Sequence, residues 1–145
     1  MLASIPSKHW MSSFVLFDTS ILVDQFRTGR HQEKIQSLTE LVRTSSVVLA
    51  ELWRGASKAA ERNVLRVLEK NYPVLVPTRQ NWIESGELLN RLRRLHGFWP
   101  DKLRDLHFDV LIALTARSHG ARVITSNRAD FELIASVRPV QIEIW

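Results

Sequence analysis

The sequence contains no cysteine, which excludes disulfide frameworks, thiolate zinc sites and cysteine nucleophiles and is compatible with a reducing compartment. It has no apolar run approaching the ~20 residues that span a bilayer. Residues Met1 to Ser13 include Lys8 and His9 and hold no uninterrupted apolar stretch of signal-peptide length. A soluble, cytoplasmic protein with no membrane partner is therefore expected. Repeats, linkers and low-complexity segments are absent as well, so residues 1–145 read as one domain. At 45% hydrophobic content such a domain can bury roughly two-thirds of its unfolded surface. The chain is also short of acid: fifteen Asp and Glu face twenty Lys and Arg, a formal charge of +5. A polyanionic partner fits that balance, and so does the ordinary solubility of a small cationic domain; charge alone does not choose between them.

The acids that matter sit where apolar elements end or turn. Asp18 follows Phe14-Val15-Leu16-Phe17, Glu51 follows Val47-Val48-Leu49-Ala50, Asp109 opens Val110-Leu111-Ile112-Ala113, and Asp130 lies just beyond Val123-Ile124-Thr125. Burying an ionised carboxylate without a partner is expensive, and gathering several adds mutual repulsion, so a fold that collects them calls for a cation. A hard divalent ion, Mg²⁺ or Mn²⁺, is the natural choice for oxygen donors.

The patterning expects a strand at 14–17 followed by a helix over 19–27 that Gly29 breaks, then a second helix over 33–41 and a short apolar run at 47–49. Helices follow over 52–58 and 59–70, with a compact strand at 74–76 between Pro73 and Pro77. Thr78 then caps a long helix that Gly97 and Pro100 end. A central buried helix over 105–119, a strand at 122–125, a short helix from about 129 and an edge strand at 140–144 complete the order. Short β-branched runs separated by helices predict an α/β fold with a short, mostly parallel central sheet and helices on both faces. In such sheets ligands collect beyond the carboxyl ends of the strands, where Asp18 and residues 125–130 fall.

Taken with their neighbours, the acids form the series Phe-Asp18-Thr-Ser-Ile-Leu-Val, Ala-Glu51-Leu-Trp-Arg-Gly55, Phe-Asp109-Val-Leu-Ile-Ala-Leu-Thr-Ala116 and Val-Ile-Thr125-Ser-Asn127-Arg-Ala-Asp130-Phe131. This series resembles a PIN domain, and the chain length resembles the stand-alone VapC-type toxins of bacterial toxin-antitoxin pairs. The resemblance runs from about Phe14 to Phe131 and implies a PIN-like three-layer sandwich and metal-dependent endoribonuclease chemistry. It implies catalytic roles for Asp18, Glu51, Asp109 and Asp130, with Thr19 or Ser20, Thr125 and Asn127 as polar accessories. Asp18 and Asp109 are expected to hold Mg²⁺ or Mn²⁺ directly, while the other acids orient water. An RNA substrate, a separately encoded antitoxin whose tail covers the acidic pocket with a basic side chain, and a homodimer are implied in the same way. Some relatives carry an acid where this chain has Asn127, so either Asn127 or Asp130 completes the site.

Each acid also admits a plainer role. Asp18, Asp109 and Asp130 are at positions suited to helix N-caps, and Glu51 is near a helix start where it would favour the helix dipole. Asp105 could cap or pair with Lys102 or Arg104. His107 is the one histidine close to the acids in sequence. Trp53 and Trp82 fit helix-packing positions, whereas Trp10, Trp99 and Trp145 lie outside clear periodicity. Arg91, Arg93, Arg94, His96, Lys102 and Arg104 gather before the central helix, with Arg27 and Arg30 after the first, and could flank an RNA groove or simply be a solvated face. A haloacid-dehalogenase phosphatase would need a second acid where Ser20 stands. The competing functions are a housekeeping PIN nuclease for RNA processing and an inactive RNA- or protein-binding module.

Overall fold

Phe14–Phe17 forms the central strand, β1, because both of its faces are covered: Val15 and Leu16 are fully buried and Phe17 nearly so. The computed structural model describes residues 13–145; Trp10 lies outside them. After β1 come helix α1 (Thr19–Thr28), the short helix α2 (Gln32–Gln36), strand β2 (Leu41–Ser45), helices α3 (Ser46–Gly55) and α4 (Ala59–Asn71), and strand β3 (Val74–Leu75). Helices α5 (Arg79–His96) and α6 (Pro100–Ser118), strand β4 (Ala121–Thr125), helix α7 (Arg128–Val137) and strand β5 (Ile142–Ile144) follow. The five strands pair in parallel in the order β3-β2-β1-β4-β5, in register from Phe14 opposite both Leu41 and Ala121. The chain moves outward in one direction through β2 and β3 and then returns to the other side of β1, so the strand order reverses between β1 and β4. Crevices at such reversal points are where open parallel sheets place ligands.

Helices cover both faces of the sheet, as expected for the α/β class. The core is built around α6, in which Leu106 and every residue from Val110 to Ala116 is buried. A helix apolar on all sides has to be central, and α6 packs on α5, β4, α7 and α3. No helix among the described residues is long and apolar enough to cross a membrane.

Three stretches differ from the sequence reading. The expected helix over 33–41 is only Gln32–Gln36, and Leu41–Ser45 is instead strand β2, paired to β1 on one side and β3 on the other. The apolar run at 47–49 is the buried face of α3, whose N-cap Ser45 accepts a hydrogen bond from the Val47 amide at 3.1 Å. A short apolar run fits a buried strand and a buried helical turn equally well, and here cross-strand pairing decides. The central helix begins five residues earlier than expected, at Pro100, because proline at the first helical position starts a helix as readily as it ends one. Gly97 does end α5: its φ of 67° is the left-handed geometry that releases the chain, and Thr78 opens the same helix with a reciprocal capping box to Asn81.

The remaining aromatics sort clearly. Trp53 is half-buried, whereas Trp82 is 52% exposed with its ring edge-on to His107 at 6.2 Å. Trp145 packs on Phe17 and His31, and Trp99 stands 81% exposed.

Candidate active site

Asp18 leaves β1 one residue after Phe17, and its amide continues the ladder by donating to Ile124 of β4 at 2.9 Å. It occupies the N-cap position of α1, yet its carboxylate takes no capping bond. Its Oδ2 accepts instead from Ser20 Oγ at 2.9 Å and from Thr125 Oγ1 at 2.8 Å, across the gap between β1 and β4. The same hydroxyls accept from the amides of Ser126 and Asn127 at 3.2 and 2.9 Å. The carboxylate is thus fixed on one oxygen, and Oδ1 takes no donor from the described residues, which leaves it for a ligand.

Asn127 caps α7, accepting from the Asp130 amide at 3.4 Å. Its Nδ2 donates to Asp130 Oδ2 at 3.0 Å and to Asp109 Oδ2 at 3.5 Å, tying the start of α7 to the middle of α6. Glu51 lies in the interior of α3, where Oε1 accepts from Thr19 Oγ1 at 2.8 Å. The accessory residues Thr19, Thr125 and Asn127 therefore each hold an acid, and Ser20 joins them. Asp109 and Glu51 are mid-helix, Asp130 follows a cap rather than being one, and Asp18 declines the capping bond. None of the four acids does the plainer job open to it.

The acids feel one another's charge. Asp109 is pushed up to about 8, chiefly by burial and then by the negative fields of Asp18, Glu51 and Asp130, with Lys102 opposing. Glu51 is also raised, by burial first and by Asp18 third, while the Thr19 hydroxyl and Arg54 pull it down. Asp130 feels burial most strongly, but its bonds to Lys102 and Asn127 outweigh that and hold it below the ordinary carboxylate range. Four acids thus share one field although each comes from a different element. As they stand, no three of the described His, Asp and Glu side chains are gathered closely enough to grip an ion on their own.

The donors nonetheless suit a hard divalent cation. All are oxygens, and the burial and the neighbouring charges that raise Asp109 are both opposed by such an ion. An ion that keeps several waters needs only one or two direct carboxylates, the number that Asp18 and Asp109 would supply.

The basic residues divide. Lys102 reaches the site, donating to Asp130 Oδ1 at 2.8 Å, and it is seven residues, about two turns, before Asp109 on α6. The sequence reading had Lys102 ahead of the central helix as a possible RNA contact; the start of α6 at Pro100 puts it on the same helix as Asp109. Arg54, one turn after Glu51, lies over the Phe108 ring at 5.9 Å and was not anticipated. Arg104 is exposed and paired with Asp101. Arg91 donates to the Val137 carbonyl at the opposite end of α7 from Asp130, and Arg94 bonds Asn90 in α5. Arg93 and His96 are exposed at the end of α5, and Arg30 pairs with Asp24. Asp105 is exposed, outside the acidic group. His107 bonds Ser85 at 3.1 Å rather than any acid.

Beside Glu51 and Thr19, an apolar groove of about 440 Å³ opens between α1, α3 and α4, walled by Val23, Phe26, Leu52 and Val64 with Arg27 and Glu61 at its rim.

The chain was compared with known proteins. A family model described as PIN domain matches residues 15–136. No curated protein sequence matches. Among solved structures, the chain is similar to one in DNA-bound VapBC from Salmonella typhimurium, at 27% identity over 93% of this chain and 99% of that one, with a TM-score of 0.71. It is similar to one in VapBC-1 from nontypeable Haemophilus influenzae at 24% identity, 91% and 98% coverage and a TM-score of 0.72. A toxin-antitoxin complex from Klebsiella pneumoniae gives 24% identity, 89% and 95% coverage and a TM-score of 0.61.

Proposed function

The chain belongs to the PIN domain family, and from that membership we propose that it is a metal-dependent endoribonuclease acting as the toxin of a toxin-antitoxin pair. The observation that carries the reading is the convergence of Asp18, Glu51 and Asp130 on Asp109, each acid drawn away from the capping or surface role its position offers. Asp18 and Asp109 would hold Mg²⁺ or Mn²⁺, and when bound the ion supplies a lowered pKa for water and charge neutralisation at the phosphodiester. Glu51 and Asp130 orient the attacking water. The Ser20 and Thr125 hydroxyls keep Asp18 in one rotamer, so little reorganisation is needed when substrate arrives. Lys102 offsets the charge of Asp130 and presents a cation to the phosphate backbone. Water rather than the ribose 2′-hydroxyl attacks, which leaves a 5′-phosphate and a 3′-hydroxyl.

The apolar groove beside Glu51 favours a toxin over a housekeeping nuclease, because it gives a separately encoded antitoxin an apolar seat from which a basic side chain could reach the acids. The test is cleavage of cellular RNA by the purified chain. Magnesium-dependent cutting should disappear in the Asp18→Asn, Asp109→Asn double variant while its circular dichroism spectrum is unchanged; retained cutting rejects the site. Growth arrest on expression that the neighbouring reading frame relieves would distinguish toxin from housekeeping enzyme. Binding of RNA undiminished in the double variant, with no cutting by either protein, would favour the inactive binding module.

A further inference from the structure

The most exposed large apolar side chain among the described residues is Trp99, at 81%. Tryptophan is usually well covered, since its ring carries a large apolar area. Among the described residues the ring meets no other ring and no cation, whereas the neighbouring Phe98 is partly buried and stacked on His96 at 5.1 Å and 19°.

Trp99 is also held rigidly. It is the N-cap of α6, its carbonyl accepts from the Leu103 amide at 3.3 Å, and Pro100 restricts it to the extended backbone it adopts, φ −70° and ψ 156°. The exposure therefore belongs to a fixed anchor rather than to a wandering loop. One turn further along the same helix Lys102 bonds Asp130, and Asp109 follows two turns after that. Along the axis Trp99 is about 15 Å from Asp109, a span of a few nucleotides. The exposed Arg93 and Arg94 lie in the last turn of α5, a few residues before Trp99 in the chain, and on α6 Lys102 pairs with Asp130 and Arg104 with Asp101.

We infer that Trp99 is a stacking platform for an unpaired base of the RNA, positioning a nucleotide a few residues from the scissile phosphate at Asp109. The inference rests on the nuclease reading above and deepens it, by making the substrate single-stranded at that point. An exposed indole flanked by cations is the arrangement with which proteins grip single-stranded nucleic acid: the ring takes the base face and the cations follow the backbone. A base in a duplex has both faces occupied and cannot use it.

The test is equilibrium binding of a fluorescein-labelled single-stranded RNA oligomer to the full chain carrying Asp18→Asn, which prevents cleavage, with Trp99→Ala and Trp99→Phe added separately. Alanine should weaken binding about tenfold or more, the size of one lost base–aromatic stack, while phenylalanine restores most of the affinity. The slope of affinity against salt should stay the same in both, since stacking releases no counterions. With an unlabelled oligomer, quenching of tryptophan emission should fall markedly in Trp99→Phe. Equal affinity of Trp99→Ala and its parent overturns the platform, as does equal quenching in Trp99→Phe and its parent. A Trp99→Ala protein that binds RNA normally but loses self-association or affinity for a protein partner overturns it too, and assigns the ring to that interface. Failure of the parent to bind any RNA, together with no cleavage by the wild type, would instead remove the nuclease reading and the platform with it.

Discussion

Replacing Asp109 by asparagine should make the metal-free protein more stable while destroying its activity. Asp109 ionises in the unfolded chain near 3.8 and in the folded one near 8. Between these values the folded state keeps a proton that the unfolded state has lost. The contribution of this group to stability is therefore fully favourable below about pH 4 and falls away as the pH rises towards 8. At about 1.4 kcal/mol per unit, the difference reaches an upper limit of roughly 5–6 kcal/mol at pH 8 and only ~1.6 kcal/mol at pH 5. Asparagine has the same shape, accepts the Asn127 amide through its own oxygen and carries no charge, so it escapes the penalty. Partial hydration of the pocket reduces the gain to roughly 2–4 kcal/mol, or a midpoint about 5 °C or more higher at pH 8 for a chain of this size. Thermal unfolding in excess chelator at pH 5 and pH 8 measures it: the variant should lead at pH 8 and the gap should narrow at pH 5. Adding Mg²⁺ should raise the wild type towards the variant and barely move the variant, since an ion that binds only the folded site stabilises it by mass action. A variant no more stable than wild type at pH 8, or a gap indifferent to pH, would refute the crowding of charge on which the site is built.

Three other outcomes follow from the same geometry. Lys102→Met should destabilise the protein at pH 7, because Asp130 is held below its ordinary range and its contribution exists above about pH 4 and is lost as the pH falls through the folded value; denaturant titrations at pH 7 and at progressively lower pH should show the deficit shrinking as Asp130 is protonated. Asn127→Asp retains the helix cap but removes the donor that joins Asp109 to Asp130 and adds a fifth acid; its midpoint in chelator should drop and its gain from Mg²⁺ should exceed that of wild type, and an unchanged midpoint would mean that Asn127 carries no share of the repulsion. Reversing the charge of Arg93 and Arg94 should lower the slope of log affinity against log salt by roughly 1.4 if each meets one phosphate of a single strand; an unaltered slope places them outside the RNA path.

The sequence made α6 and β1 legible because each is extreme. Val110 to Ala116 is buried on every side, and Phe14 to Phe17 is an unbroken apolar run, so burial and local pattern agree. The region between Gln32 and Ala50 was not legible, because its strand is Leu41-Val-Arg-Thr-Ser, with Leu41 58% exposed and Ser45 fully buried. Nothing in those five side chains announces a strand; pairing on both edges with β1 and β3 makes it one. The acids could be named individually, but their shared field depends on contacts separated by 32 and 107 residues, Thr19 to Glu51 and Asp18 to Thr125, which no local spacing encodes. Lys102 was grouped with the basic residues ahead of the central helix, and its bond to Asp130 required both the earlier helix start at Pro100 and the docking of α7.

These acids are tolerated because they are attached to the most heavily buried parts of the fold. Asp109 is followed at once by seven buried residues of α6, Asp18 follows three buried residues of β1, and Asp130 precedes Phe131, which is wholly enclosed. The penalty on Asp109, whose ionised form burial and its neighbours disfavour, is thus carried by a segment whose own burial outweighs it. The same attachment fixes the acids' geometry, so the repulsion is held in place rather than dissipated by side-chain or backbone drift. Local rules of sequence fail at such positions, because the packing of the neighbouring core residues rather than the preference of the acid decides what is buried.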